Sequence, residues 1–165
     1  MVCVLPYRPE YTNKIVQLIL PIQQQEFNLP INLAVQPDLL DIASYYQTGR
    51  GNFWLALEGD QVIGSIGLRD IGNGQGALRK MFVAWEYRGT PLGVAKLLLN
   101  ALIEWAHLKE ISDVYLGTTE YFRAAHSFYE KNQFTCIERE SLPPSFPLMA
   151  VDSKFYRRSL YNCAR

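Results

Sequence analysis

The residues Tyr87-Arg88-Gly89-Thr90-Pro91-Leu92-Gly93-Val94-Ala95 join an apolar stretch to a long amphipathic one. A glycine-bearing turn that feeds a helix N-terminus points several unpaired backbone N–H groups at one spot, and the helix dipole favours an anion there. The turn is therefore shaped to hold phosphate. It is not a Walker loop, because no Lys-Ser or Lys-Thr pair follows the second glycine, and it lacks the three-glycine dinucleotide fingerprint. Taken without context, the same residues also suit a plain strand-to-helix connection in which glycine supplies only backbone freedom. Pro91 offers no N–H, yet its fixed φ suits the first helical position. The expected anion donors are thus the amides of Gly89, Thr90, Leu92, Gly93 and Val94, with the Arg88 side chain beside them.

Two further segments frame this turn. Ala77-Leu78-Arg79-Lys80-Met81-Phe82-Val83 precedes it, and Phe128-Tyr129-Glu130-Lys131-Asn132-Gln133-Phe134 follows a helix that runs to about His107. Together the three pieces resemble the GNAT superfamily of N-acetyltransferases. The cofactor loop of that family reads Arg or Gln, two residues, Gly, one residue, then Gly or Ala. Arg88, Gly93 and the spacing match, with Pro91 where the first of those glycines is usual. The later Phe-Tyr-Glu-Lys-x-Gly-Phe signature is matched with Gln133 in place of glycine.

The resemblance covers nearly the whole chain in element order. It implies one N-acetyltransferase domain over residues 1–165, with an α/β fold built as a mixed, mostly antiparallel twisted sheet flanked by helices. It also implies transfer of an acetyl group from acetyl-CoA to a primary amine by direct attack in a ternary complex, with CoA as product. The pyrophosphate is then expected at residues 88–94. A tyrosine at the place of Tyr129 lies near the cofactor sulfur in the family and protonates the leaving thiolate, a role that a phenol in a dry site can fill. From its neighbours alone Tyr129 reads equally as a core aromatic, and His126 as an ordinary partly buried histidine. Attack by an amine also calls for oxyanion donors, which the family draws from the backbone of the strand before the turn; these map to Met81, Phe82 and Val83. The rival from another class is a non-catalytic acyl-CoA-binding or regulatory module that keeps the loop without needing Tyr129. No cysteine lies in the turn, its preceding strand or the tyrosine helix, so a covalent cysteine route is disfavoured.

The acceptor site is expected in the two long irregular segments, residues 23–36 and 141–149, on the side opposite the phosphate turn. Glu26, Phe27 and Phe146 are the candidate lining residues, with Glu26 as the acid for an ammonium. Asp70 and Glu120 are further loop acids considered for the base. An amino acid, a small amine, a peptide N-terminus and a lysine all remain open as acceptors.

These groups need elements to hold them. The pattern predicts strands over residues 2–7, 53–58, 62–70, 77–83, 114–117, 135–140 and 154–160. It predicts helices over 10–20, limited by Pro21, over 38–46, capped by Asp38, over 94–107 and over 120–131. In the third of these Val94, Leu97, Leu98, Ala101, Leu102 and Trp105 form the expected buried stripe. Crossover handedness makes the 114–117 strand parallel to the 77–83 strand.

Composition excludes several partners. Sixteen basic and sixteen acidic residues cancel, leaving no bulk charge to grip nucleic acid or anionic membrane. No signal peptide and no membrane-length apolar run is read. Cys3, Cys136 and Cys163 have no metal-like spacing, so no metal is expected, and free thiols imply a reducing, cytoplasmic setting. A monomer or a homodimer is expected.

Overall fold

The computed structural model describes residues 1–89 and 91–161. Thr90 and Cys163 lie outside the described residues, so the expectations for them have no structural counterpart. Seven strands form one sheet in the order β1-β2-β3-β4-β5-β7-β6. They are β1 (Val2–Pro6), β2 (Asn52–Glu58), β3 (Gln61–Gly72), β4 (Gln75–Val83), β5 (Asp113–Thr118), β6 (Thr135–Ile137) and β7 (Lys154–Ser159). Every pairing is antiparallel except β4 with β5, which a helix joins as the expected crossover.

Helices cover both faces. α1 (Thr12–Pro21) and α2 (Ile42–Tyr46) lie over one, α3 (Val94–Leu108) and α4 (Arg123–Lys131) over the other. The strand β2 shows why both faces bury: Phe53 and Leu55 enter the core beneath α1 and α2, while Trp54 and Ala56 enter the core beneath α3. The period of two thus serves two cores at once.

Several expected boundaries and faces move. Pro21 does not stop the first helix, which continues as a single π-type turn over Ile22–Glu26. Pro21 has no N–H to donate back along the helix, and a widened turn accommodates that missing donor. Asp38 is not a helix cap. It lies in a short 3-10 turn, Pro37–Leu40, and its carboxylate accepts the Tyr46 hydroxyl at 2.6 Å. In α3 the buried stripe is Val94, Leu98, Leu99, Leu102, Ile103 and Ala106, whereas Leu97 is exposed. The helix is rotated because its long run of leucines offers two usable apolar faces, and packing on the sheet chooses between them.

The parallel pair β4/β5 is short. Gln75, Gly76 and Ala77 pair with Asp113, Val114 and Tyr115, and no ladder continues between the remaining residues of the two strands. On its other side β4 carries a bulge. Ser65 pairs Phe82 and Gly67 pairs Arg79, so β4 has one residue more than β3 over that stretch. The bulge contains Lys80 in a left-handed conformation (φ 55°), and its carbonyl accepts the Ser65 hydroxyl at 2.7 Å.

The seating of α3 fixes where the phosphate turn lies relative to the sheet. A Cβ added at Gly64 of β3 would stand 2.9 Å from Leu98 Cδ1 and 3.2 Å from the Phe82 carbonyl oxygen. Gly64→Ala should therefore lower the unfolding free energy by about 1–3 kcal/mol through overpacking, read from urea denaturation midpoints at unchanged slope.

Candidate active site

The chain leaves β4 through a 3-10 turn, Trp85–Tyr87, and reaches α3 through residues 88–93. Gly89 and Gly93 both have positive φ, 82° and 61°. Gly93 is the left-handed N-cap of α3, and no side chain caps the helix. The first intrahelical bond is Leu97 N–H to the Gly93 carbonyl at 3.0 Å, so the amides of Val94, Ala95 and Lys96 precede the helix ladder. The Gly93 N–H itself closes on the Gly89 carbonyl at 3.3 Å, which takes one of the expected donors out of the set. A Cβ at either glycine would meet nothing within 4 Å. The turn is thus an open cradle of amides that an anion can approach closely, and it fits the pyrophosphate of CoA.

Arg88 borders this cradle. Its Nε donates to the Val83 carbonyl at 2.8 Å, and its guanidinium lies 5.6 Å from the Trp85 ring centroid. Both terminal nitrogens meet the two oxygens of Glu26, the Nη2–Oε1 contact being 2.8 Å. The π turn after Pro21 brings Glu26 there. The structure therefore sets Glu26 against the phosphate turn, not opposite to it. Glu26 lines a groove of about 740 Å³ on the outer side of α1, together with Lys14, Gln25, Asp60 and Trp85.

A second, smaller cavity of about 80 Å³ lies where β4 and β5 part. Leu78 to Phe82 form its β4 wall, Gly117 to Thr119 its β5 wall, and Tyr129 and Phe146 line it from α4 and the loop before β7. Of the sequence candidates, this space collects Met81, Phe82, Tyr129 and Phe146. It leaves out Val83, Glu26 and Phe27, although Phe27 packs edge-on against the lining residue Phe122 at 4.5 Å. Asp70 is held elsewhere, accepting the Arg50 and Gly72 amides at 2.9 Å each. Glu120 is exposed, and His126 Nε2 pairs with the Thr119 carbonyl at 2.9 Å.

Tyr129 is 5% exposed and sits in an aromatic cluster with Phe128, Phe134 and Tyr156. Its hydroxyl points to Met81 Sδ at 3.7 Å, a weak acceptor. Burial pushes the phenol well above its ordinary value, so it holds its proton firmly. Both readings of Tyr129 meet in this geometry: the ring packs in the core while the hydroxyl faces the cavity. After α4 the chain turns through Gln133 at φ 71°, and the Phe134 N–H bonds the Tyr129 carbonyl at 3.1 Å. That explains the glycine preference at this place in the family signature; Gln133 takes the same left-handed conformation with a side chain attached.

Three charged residues at this cavity, Lys80, Asp152 and Arg79, were not singled out from the sequence. Lys80 is buried, donates to Gln36 Oε1 at 2.7 Å and stands 3.6 Å from Asp38. Gln36 in turn exchanges two amide hydrogen bonds with Gln23, each 2.9 Å. Burial lowers the Lys80 ammonium to about 8, with Asp38 opposing the shift. Asp152 accepts the Met149 amide at 3.0 Å, and burial raises its carboxyl. Arg79 completes the set. The signal was present as two adjacent cations within an otherwise apolar strand.

Residues 17–134 match the acetyltransferase (GNAT) family model. This chain belongs to the GNAT acetyltransferase family. Its fold superposes on a GNAT-family acetyltransferase from Staphylococcus aureus Mu50 with a TM-score of 0.94 at 39% identity, covering 97% of this chain and 99% of that one. The PaiA N-acetyltransferase of Thermoplasma acidophilum, solved in complex with coenzyme A, shares the fold with a TM-score of 0.71 at 16% identity, covering 96% and 99%. N-acetylaspartate synthetase from Danio rerio is 37% identical over 106 residues, 63% of this chain and 37% of the relative. The GNAT chain thus spans little more than a third of that relative's length. Among the described residues of this GNAT chain, no helix is long and apolar enough to cross a membrane. No group of three metal-ligating side chains occurs among them either.

Two outcomes follow from the site's geometry. Gly93→Val places a β-branched residue at positive φ and fills the open cradle, so calorimetry should show acetyl-CoA affinity falling by at least about 10-fold. Between about pH 8 and about pH 10 the unfolded state carries a proton on Lys80 that the folded state lacks, so stability rises with pH. Thermal midpoints of the wild type should accordingly gain on those of Lys80→Met across that window.

Proposed function

We propose that this chain, as one domain over residues 1–165, transfers the acetyl group of acetyl-CoA to a primary amine within a ternary complex. The observation that carries the reading is the Tyr129 hydroxyl, buried and protonated in a cavity at the parting of β4 and β5 whose wall is the β4 segment Leu78 to Phe82. Membership of the GNAT family and the coenzyme A complex of PaiA support the choice of cofactor.

Bound acetyl-CoA supplies a thioester whose acyl–sulfur bond breaks as the bond from amine nitrogen to acyl carbon forms. The chain's own residues do the rest. The amides of Gly89, Leu92 and Val94, with Arg88 beside them, hold the pyrophosphate; Gly93 contributes its conformation more than its N–H. The edge of β4 that has no partner on β5 offers the backbone of Met81 and Phe82 to the acyl end, with Val83 continuing the edge. Tyr129 gives its Oη proton to the departing sulfur, the excess proton of the amine passes to solvent, and the Tyr129 oxygen regains a proton from solvent before the next turnover. Phe146 and Phe122 wall the cavity against water. Phe27 backs Phe122, and Glu26 fixes Arg88 beside the phosphate turn. The balanced charge and the free thiols Cys3 and Cys136 support the choice of a cytoplasmic enzyme acting on a small or peptide amine.

Thiol release from acetyl-CoA across a panel of amines tests the activity. Tyr129→Phe removes one hydroxyl and keeps the ring packing, so acetyl-CoA affinity and fold should survive while turnover falls by about 10²-fold. Wild-type turnover in that variant would return Tyr129 to a packing role.

A further inference from the structure

Arg79 and Lys80 are the residues of the cavity that acetyl transfer leaves without a role. In a regular strand they would point to opposite faces. The bulge cancels that alternation: Leu78 and Met81 join the core beneath α3 and α4, while Lys80 reaches Gln36 and Asp38 on the side of α1 and α2. The charge of Arg79 acts on the same surroundings, on Lys80, on Asp152 and on the Tyr46 hydroxyl. Arg69 adds a third cation to this face, stacked on Tyr45 at 5.3 Å and felt at Tyr46.

The acids there do not balance them. Asp38 is engaged by the Tyr46 hydroxyl and by Lys80, and Asp152 Oδ2 by the Met149 amide. Arg79 is half-buried in the cavity wall and makes no hydrogen bond or ion pair among the described residues. A half-buried guanidinium facing a cavity presents a planar fork that matches a carboxylate with two parallel hydrogen bonds. Across the cavity, Asp152 lies against β5, where a Cβ on Gly117 would stand 2.7 Å from its Oδ2. The space therefore has a cation without a partner on the β4 wall and a carboxylate on the β5 wall. Its enclosed volume of about 80 Å³ suits a small head group.

We propose that Arg79 binds a carboxylate on the acceptor, so that the amine acetylated by this chain is that of a free amino acid. Arg79 takes the carboxylate on the β4 side, Lys80 reinforces the positive field from behind, and Asp152 draws the ammonium on the β5 side. The assignment rests on the acetyl-transfer reading above and narrows its acceptor from any primary amine to one that carries an acid group beside it.

The test compares thiol release from acetyl-CoA on free L-amino acids, on their carboxamides and on the corresponding decarboxylated amines, for the wild type and Arg79→Gln. Wild-type kcat/KM should favour the free acids by at least about 10-fold, and Arg79→Gln should lower it by roughly 10- to 100-fold for the acids alone. Calorimetry of amino-acid binding to the CoA-loaded protein should show the same loss, with acetyl-CoA affinity unchanged. Arg79→Lys, which keeps the charge without the fork, should recover part of it. Equal wild-type rates on acids and amides, or an equal loss on every acceptor in a folded Arg79→Gln protein, would overturn the carboxylate assignment and leave acetyl transfer standing. Thiol release on no acceptor at all, with acetyl-CoA still bound, would overturn the acetyl-transfer reading itself. In that case the calorimetric comparison of acids with amides decides the role of Arg79 alone.

Discussion

β4 and β5 share three register pairs and then part, and the rest of the molecule is arranged around that parting. Two parallel strands that continued together would satisfy each other's backbone and leave no room between them. Their separation frees one edge of β4, opens the cavity that Tyr129 lines and sets the far end of β4 beside the glycine turn that starts α3. Both halves of the proposed site depend on it: the glycine turn follows the far end of β4, and the cavity opens beside the edge that β4 leaves free.

The bulge in β4 is the second constraint. One extra residue between the Ser65 and Gly67 pairings brings Lys80 to positive φ and ends the alternation of faces. Buried polar groups then become neighbours: Lys80 with Asp38, Asp38 with Tyr46, Gln36 with Gln23. A polar network of this kind, placed between α1, α2 and the sheet, ties the Gln-rich segment to the strand that carries the site.

Much of this was legible in the residues. The glycine turn, the amphipathic helix behind it and the Phe128–Phe134 segment carried the family, and the parallel placement of β4 and β5 followed from crossover handedness. Other parts were hidden for physical reasons. A run such as Leu97-Leu98-Leu99 has apolar residues on several faces, so periodicity alone does not choose the buried one. Pro21 normally ends a helix, and only the π turn shows how the chain continues to Glu26. The ion pair of Glu26 with Arg88 joins residues 62 positions apart, beyond any local pattern. The cavity charges were missed because a bulge has no signature in composition: Arg79 and Lys80 read as one residue in and one out, when both turn to the same side.

An unpaired strand edge in the middle of a sheet is a template on which a foreign strand can add, and most proteins hide such edges because they seed aggregation. Here the free edge of β4 is blunted by the features that shape the site. The bulge breaks the two-residue repeat that an incoming strand would have to match, and half-buried Arg79 puts charge where a passing apolar segment would seek grease. At the outer margins β6 is only three residues long and β1 ends in Pro6, so those edges also offer little to copy. The free edge is therefore guarded against neighbouring chains by the same bulge that shapes the cavity.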